Sequence, residues 1–385
     1  MRKTILLNLL LFAMGITACG QNPRNNQLQL KSETTAAVVP TNNLDEDIGE
    51  MLMVGFRGTK LEKDNHIVRD IQKYHVGSVI LFEYDAPTGK HQRNISSVKQ
   101  LTELCKSLQL YANNQLLIGV DQEGGKVSRL KSEYGFESIP SAKAMAKGGK
   151  DSVSHYAELT AAMLKKAGIN LDFAPVADVD VNPDCPVIGK LGRSFSSDPN
   201  VVADYCGIWL DALKKNGVVG CMKHFPGHGS ASGDTHQGLV DISDTWTENE
   251  LIPYQHLIAQ GVVPMVMTGH LMVRQLDEKY PTSLSNHVNT AMLRDGMGFE
   301  GVIVTDDLAM GAITKQYGFE EAIRLAIRAG VDMLCLSNNG AKYDENIVPT
   351  TVKIIKQMVE KGEITPERIH QSAERIRKIK KQVMQ

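Results

Sequence analysis

Along the chain, short apolar runs alternate with longer stretches of helical period. Eight runs read as strands: Met51–Phe56, Gly77–Phe82, Leu116–Asp121, Leu171–Val176, Val218–His224, Pro264–His270, Gly301–Asp306 and Asp332–Ser337. Each is short, rich in Val, Ile, Leu or Met, and bounded by Gly or polar residues. That is the pattern of strands buried on both faces of a parallel sheet. Ala142–Ala167, Val201–Asn216, Glu248–Gln260 and Glu320–Gly330 carry the clearest helical periods between them. Gly168 and Gly330 stand where a glycine closes a helix before the next strand. Alternating strands and helices predict the α/β class, and eight units predict a (β/α)8 TIM-type barrel over an open doubly wound sheet. No GxGxxG follows the first strand, which removes the signature of a dinucleotide site. After the last strand, Lys353–Lys361 ends at Gly362, and a second helix opens with Thr365 as N-cap and Pro366 at its first position. Ile369, Ala373, Ile376 and Val383 form its apolar stripe. Residues 44–385 therefore read as a single barrel domain with C-terminal helices.

The beginning of the chain follows other rules. Arg2 and Lys3 precede an apolar run from Ile5 to Met14, and Ile16-Thr17-Ala18-Cys19 follows. The run is shorter than the about 20 residues a membrane-spanning helix needs, and it fits a secretory signal. Its last four residues resemble a bacterial lipobox. Residues 1–18 would then be a signal peptide, and Cys19 the lipidated N-terminus that anchors an exported protein to the bacterial membrane. Residues 19–43 are rich in Asn, Gln, Thr and Ser without apolar period, as expected of a flexible tether.

Composition narrows the classes. With 42% hydrophobic and 22% charged residues, the chain is neither collagen-like nor disordered. Its 42 basic and 44 acidic residues give −2, and loss of Arg2 and Lys3 leaves 40 against 44, or −4. That charge gives nucleic acid no reason to bind. Cys105, Cys185, Cys206, Cys221 and Cys335 are odd in number and include no CxxC pair. No disulfide framework is expected, with a single Cys185–Cys206 bridge left open.

In a barrel of this kind the chemistry collects at the C-terminal ends of the strands. Asp121-Gln122-Glu123-Gly124-Gly125 ends the third strand. Asp178 and Asp180 follow the fourth, with Arg193 later in the same loop. Lys223 and His224 end the fifth, His270 the sixth, and Asp306 and Asp307 the seventh. A single acid after a strand can be a helix cap; charged groups at five strand ends make a catalytic face. From Lys223 the chain runs through Phe225-Pro226-Gly227-His228-Gly229 to Asp234-Thr235-His236. So much Gly and Ser opposes helix and reads as a mobile loop carrying a histidine beside a carboxylate. A carboxylate orients an imidazole and favours its charged form, which suits a proton shuttle. Metal ligation by His224 and His228 would need a helix, which Pro226 and Gly227 oppose, so no metal is expected. Asp306 points inward by alternation and is the candidate nucleophile, leaving Asp307 to start the next turn.

Together these segments, with Arg129, Arg193-Ser194-Phe195 and Thr305-Asp306-Asp307-Leu308-x-Met310, resemble glycoside hydrolase family 3. They resemble in particular its bacterial β-N-acetylglucosaminidase branch, over about residues 45 to 340. The resemblance implies that Asp306 is the catalytic nucleophile and His236 the acid/base, with Asp234 as its dyad partner. It implies that Asp121, Arg129, Arg193, Lys223 and His224 hold the terminal sugar. The expected activity is that of a retaining exo-β-N-acetylglucosaminidase, without cofactor, removing GlcNAc from cell-wall fragments or glycans. A monomer is expected. Substrate-assisted enzymes that attack with the acetamido oxygen typically use an Asp-Glu pair, and none stands at a strand end here. Phosphate in place of water, a β-glucosidase specificity and a non-catalytic glycan-binding lipoprotein are the competing readings.

Overall fold

The eight predicted strands all form. They are β1 Leu52–Gly55, β2 Ser78–Ile80, β3 Leu117–Val120, β4 Leu171–Asp172, β5 Val219–Phe225, β6 Met265–Thr268, β7 Val302–Thr305 and β8 Leu334–Leu336. The computed structural model describes residues 43–384, so the signal segment, Cys19 and the tether up to residue 42 lie outside the described residues. Neighbouring strands are parallel, in the order β7-β6-β5-β4-β3-β2-β1-β8. A bridge between Val304 and Met333 joins the two ends into a barrel. Across that seam Asp332 N donates to Ile303 O at 2.8 Å, and Thr305 N to Met333 O at 3.2 Å.

Most strands are shorter than their apolar runs, because residues past the ladder turn away to line the barrel mouth. Leu171–Val176 keeps only Leu171 and Asp172 in the ladder, with Val176 bridging Lys223. The strands are buried throughout, as both-face burial requires. The helical run Ala142–Ala167 is two helices, Ala142–Ala146 and Gly149–Ala167. Gly149 takes φ +72°, a left-handed conformation that no helix interior accommodates. Glu248–Gln260 likewise starts as a 3₁₀ turn over Glu248–Leu251 and continues as Ile252–Ala259.

The tail helix Pro366–Val383 is capped by Thr365, whose hydroxyl accepts the Arg368 N–H. Asp332 pins this helix to the barrel base. One of its oxygens accepts from Ile303 N at 3.0 Å and pairs with Arg294 at 2.5 Å. The other accepts from Ser372 Oγ at 2.8 Å and Arg375 Nη1 at 3.1 Å. A buried carboxylate is tolerated because every lone pair meets a donor. The five cysteines of this region are buried free thiols, so Cys185 and Cys206 are not bridged.

Candidate active site

The third strand ends in a hairpin, Gln122–Gly124 against Val127–Ser128. Gln122 Oε1 accepts from the N–H groups of Arg129 and Leu130 at 3.0 and 2.9 Å. This returns Arg129 to Asp121, whose Oδ2 lies 3.1 Å from Arg129 Nη2. Gly124 has φ +94°, and a Cβ there would stand 2.2 Å from Pro140 O, so only glycine closes the turn.

Lys223 leaves β5 beneath this hairpin. Its Nζ lies 2.8 Å from Asp121 Oδ1 and 2.7 Å from Glu123 Oε1. Arg193 grips Glu123 with two parallel hydrogen bonds of 2.7 Å each, the fork geometry that guanidinium favours. Three cations thus surround two carboxylates. Burial pushes Asp121 up, but Lys223 and Arg129 outweigh it and hold its carboxyl well below the ordinary range. Burial likewise raises Glu123, and Arg193 and Lys223 outweigh it. Burial opposes the charge on Lys223, and the two acids restore it. The cluster is a fixed charged floor at neutral pH.

His224 follows Lys223 through a cis peptide, and both side chains border the cavity. Asp178 Oδ2 lies 2.7 Å from His224 Nδ1, while Asp178 Oδ1 accepts the N–H groups of His224 and His228 at 3.0 and 2.8 Å. Burial raises Asp178, and the two imidazoles with these hydrogen bonds outweigh it, leaving its carboxyl at about 2. His228 is lowered to about 4, first by burial and then by His224, so it is neutral at physiological pH.

The Gly-Ser segment departs from the expected mobile loop. Residues 225–231 are buried, and only the stretch from Ser232 reaches solvent. A Cβ on Gly229 would fall 1.6 Å from Val179 O. These glycines serve close approach of backbones. Asn182 N donates to Gly229 O, and Gly229 N donates to Glu250 Oε2, both at 3.0 Å. The outer part carries the dyad. Asp234 Oδ1 accepts His236 N at 2.9 Å and His236 Nδ1 at 2.8 Å. Nδ1 is therefore the protonated position facing the acid, and Nε2 is the nitrogen left without a bond to Asp234. His236 is 67% exposed, in contrast to the Lys223 floor at 2%.

Glu250, wholly buried beneath this segment, is raised to about 7 by burial. A carboxyl raised in the fold binds its proton more tightly there than in the unfolded chain. Its contribution to stability is full below the ordinary value of 4.5 and falls as pH rises toward 7. Glu250→Gln keeps an acceptor for Gly229 and removes the ionisation. The variant is expected to gain stability over the wild type at pH 8, by at most about 3 kcal/mol, and nothing at pH 4.5. Urea unfolding at both pH values measures it; equal effects at the two would remove Glu250 as the titrating group.

The two acids after β7 have different environments. Asp306 Oδ1 accepts Asp307 N at 2.8 Å. Burial raises its carboxyl, but His270, His224 and His236 outweigh it and favour the carboxylate. Asp307 is raised by burial and is engaged by Ala309 N and Ser337 N, each at 3.1 Å, and by the Ser337 hydroxyl. It starts a turn, with Met310 N donating to its carbonyl at 3.0 Å. His270 donates Nε2–H to the same carbonyl at 2.9 Å, which leaves Nδ1 to accept from Ser283 Oγ at 2.6 Å.

All eight residues singled out for catalysis or sugar binding border one cavity of about 470 Å³ at the C-terminal mouth of the barrel. Asp121, Lys223 and His224 lie deep in it and His236 at its edge. Sequence reasoning placed Glu123 and Asp178 at strand ends and His228 in the following loop, but assigned none of the three a role in the site. Alternation carried a signal for Glu123, two residues after Asp121 on the same face. Nothing local revealed that Asp178 holds His224 and His228, because that contact joins the ends of two different strands. A cavity of about 640 Å³ at the opposite end lies among Pro264, Phe299 and Arg375 and holds no paired acid and imidazole. Among the described residues no group of His, Cys, Asp and Glu is arranged to hold a metal ion, and no helix is long and apolar enough to cross a membrane.

Fold and site together define a (β/α)8-barrel glycoside hydrolase. Residues 43–379 match the model of the glycosyl hydrolase family 3 N terminal domain, and the chain belongs to that family. It is 35% identical over 297 residues to a beta-hexosaminidase of Tolumonas auensis, covering 75% of this chain and 83% of that one. It is 37% identical over 274 residues to beta-hexosaminidase LpqI of Mycobacterium tuberculosis, covering 69% and 68%. The solved beta-N-acetylhexosaminidase of Beutenbergia cavernae superposes with a TM-score of 0.78 at 26% identity, over 88% of this chain and 98% of that one. The family 3 beta-N-acetylglucosaminidase of Paenibacillus gives 0.78 at 32% identity, over 88% of this chain and 62% of that longer chain.

Proposed function

We propose that the protein is an exported, lipid-anchored β-N-acetylhexosaminidase that removes terminal β-linked GlcNAc from cell-wall fragments or glycans with retention. The observation that carries the reading is the Asp234–His236 pair at the edge of the cavity that Asp306 also borders. The names of the relatives supply the sugar. The lipobox-like Ile16–Cys19 supplies the anchor, with Cys19 as the acylated residue.

The chemistry follows from the charges. The Asp306 carboxylate attacks the anomeric carbon, and the bond to the leaving oxygen breaks as His236 Nε2 gives that oxygen its proton. Asp234 stays ionised and stabilises the imidazolium before transfer. The Asp234 carboxyl is pushed up by burial but held low by His236. In the second step His236 takes a proton from water, water attacks the same carbon, and Asp306 departs. Two carboxyls sharing one site would couple and oppose joint ionisation. An imidazole and a carboxylate favour each other's working states. The floor of Asp121, Arg129, Lys223, Arg193 and His224 offers hydrogen bonds to the hydroxyls of the terminal sugar.

Turnover of aryl β-GlcNAc but not aryl β-glucoside by the mature protein is the expected result. Preferred glucoside cleavage would replace the sugar assignment. Binding of GlcNAc glycosides with no turnover of either would make the protein a glycan-binding lipoprotein. Added phosphate that raises the rate and yields a sugar phosphate would replace hydrolysis by phosphorolysis. Detergent phase partitioning that is lost in Cys19→Ala tests the anchor.

A further inference from the structure

Four large apolar side chains are exposed among the described residues: Tyr84, Leu110, Val181 and Val262. Of these, Tyr84 borders the active-site cavity. It stands on a small hairpin, Tyr84–Asp85 against Lys90–His91, beyond the end of β2. The hairpin is held from several sides. Asp85 pairs with Arg93 at 2.9 Å and Arg57 at 3.0 Å, and accepts the Thr88 hydroxyl at 2.6 Å. Asn339, after β8, donates to Tyr84 O at 3.0 Å and accepts from Ala86 N at 2.9 Å. The phenol ring leans on His91 with centroids 5.2 Å apart. Its hydroxyl lies over Gly89, 3.7 Å from where a Cβ would stand. The ring is thus supported on its own hairpin, and the residue is 41% exposed.

A supported aromatic ring at a sugar pocket exposes apolar area that nothing in the free protein covers. The C–H face of a pyranose ring is apolar and flat enough to cover it, gaining burial and dispersion contacts. Depth assigns which ring. The charged floor is buried and holds the sugar whose bond is cleaved, so the leaving group lies toward the exposed part of the cavity, which His236 and Tyr84 both border. We infer that Tyr84 is a stacking platform for the sugar ring of the leaving group. It makes the enzyme select substrates in which a second pyranose, and not a small alcohol, follows the terminal GlcNAc. This rests on the exo-glycosidase reading above.

The test compares kcat/KM for a β-1,4-linked GlcNAc disaccharide with that for methyl β-GlcNAc, in the wild type, Tyr84→Ala and Tyr84→Phe. The ratio of disaccharide to methyl glycoside is expected to fall about tenfold in Tyr84→Ala, chiefly through a higher KM for the disaccharide. Tyr84→Phe keeps the ring and is expected to keep the ratio. An unchanged ratio in Tyr84→Ala overturns the platform while leaving the functional reading intact, as does a ratio lost equally with phenylalanine. A wild type that cleaves neither glycoside overturns the functional reading itself, and the platform with it.

Discussion

Asp306→Ala is expected to abolish turnover, by roughly 10⁴-fold or more, the scale seen when a catalytic nucleophile is removed. The expectation rests on the contrast between the two acids after β7. Asp307 spends both oxygens on Ala309 and Ser337 and is pushed toward its neutral form by burial. Asp306 is tied through Oδ1 to its neighbour's N–H, faces the cavity, and has its carboxyl held below the ordinary range despite burial. Environments that separate two carboxyls in this way assign their roles. A fluorinated sugar that labels the wild-type enzyme should leave the variant unlabelled. Retained turnover in a folded Asp306→Ala protein would take Asp306 out of the mechanism.

His236→Ala is expected to show a loss that depends on the leaving group. Proton donation is worth roughly 10² to 10⁴ where the departing oxygen is basic. For an activated aryl leaving group, which departs without a proton, the loss should be about tenfold or less. Rates across a series of aryl and alkyl glycosides give the slope against leaving-group pKa, which should steepen in the variant. The same loss on every substrate would make His236 a binding residue and not an acid. Asp234→Asn adds a second arm. The amide can still meet Nδ1–H through its oxygen, but it cannot stabilise the imidazolium, so it should reproduce part of the same slope.

The fold was readable because its signals are local. Each barrel strand is a short apolar run closed by a polar residue, and burial on both faces makes that run continuous. The errors came where a backbone angle or a distant contact decides. Lys147 to Gly149 sits inside a good helical pattern, yet the left-handed Gly149 breaks it. The Gly-Ser segment looked loose because glycine is flexible in isolation. In the fold its first half is packed against Val179 and Glu250, positions that only the barrel brings beside it.

What the sequence determined by itself was the class of the fold and the inventory of its chemistry. Periodicity gave eight strand–helix units, and the strand ends gave Asp121, Lys223, His224 and Asp306. The spacing of Asp234 and His236 gave a pair that meets within one turn, as the 2.8 Å contact shows. Tertiary structure decided what each charged group faces. Glu123 is clamped between Arg193 and Lys223, 70 and 100 residues further along the chain. Asp178 holds His224 and His228, and His270 bonds the carbonyl of Asp307 beside Asp306. Ionisation depends on burial and on neighbours within a few ångströms, and closure of the barrel alone makes such remote residues neighbours.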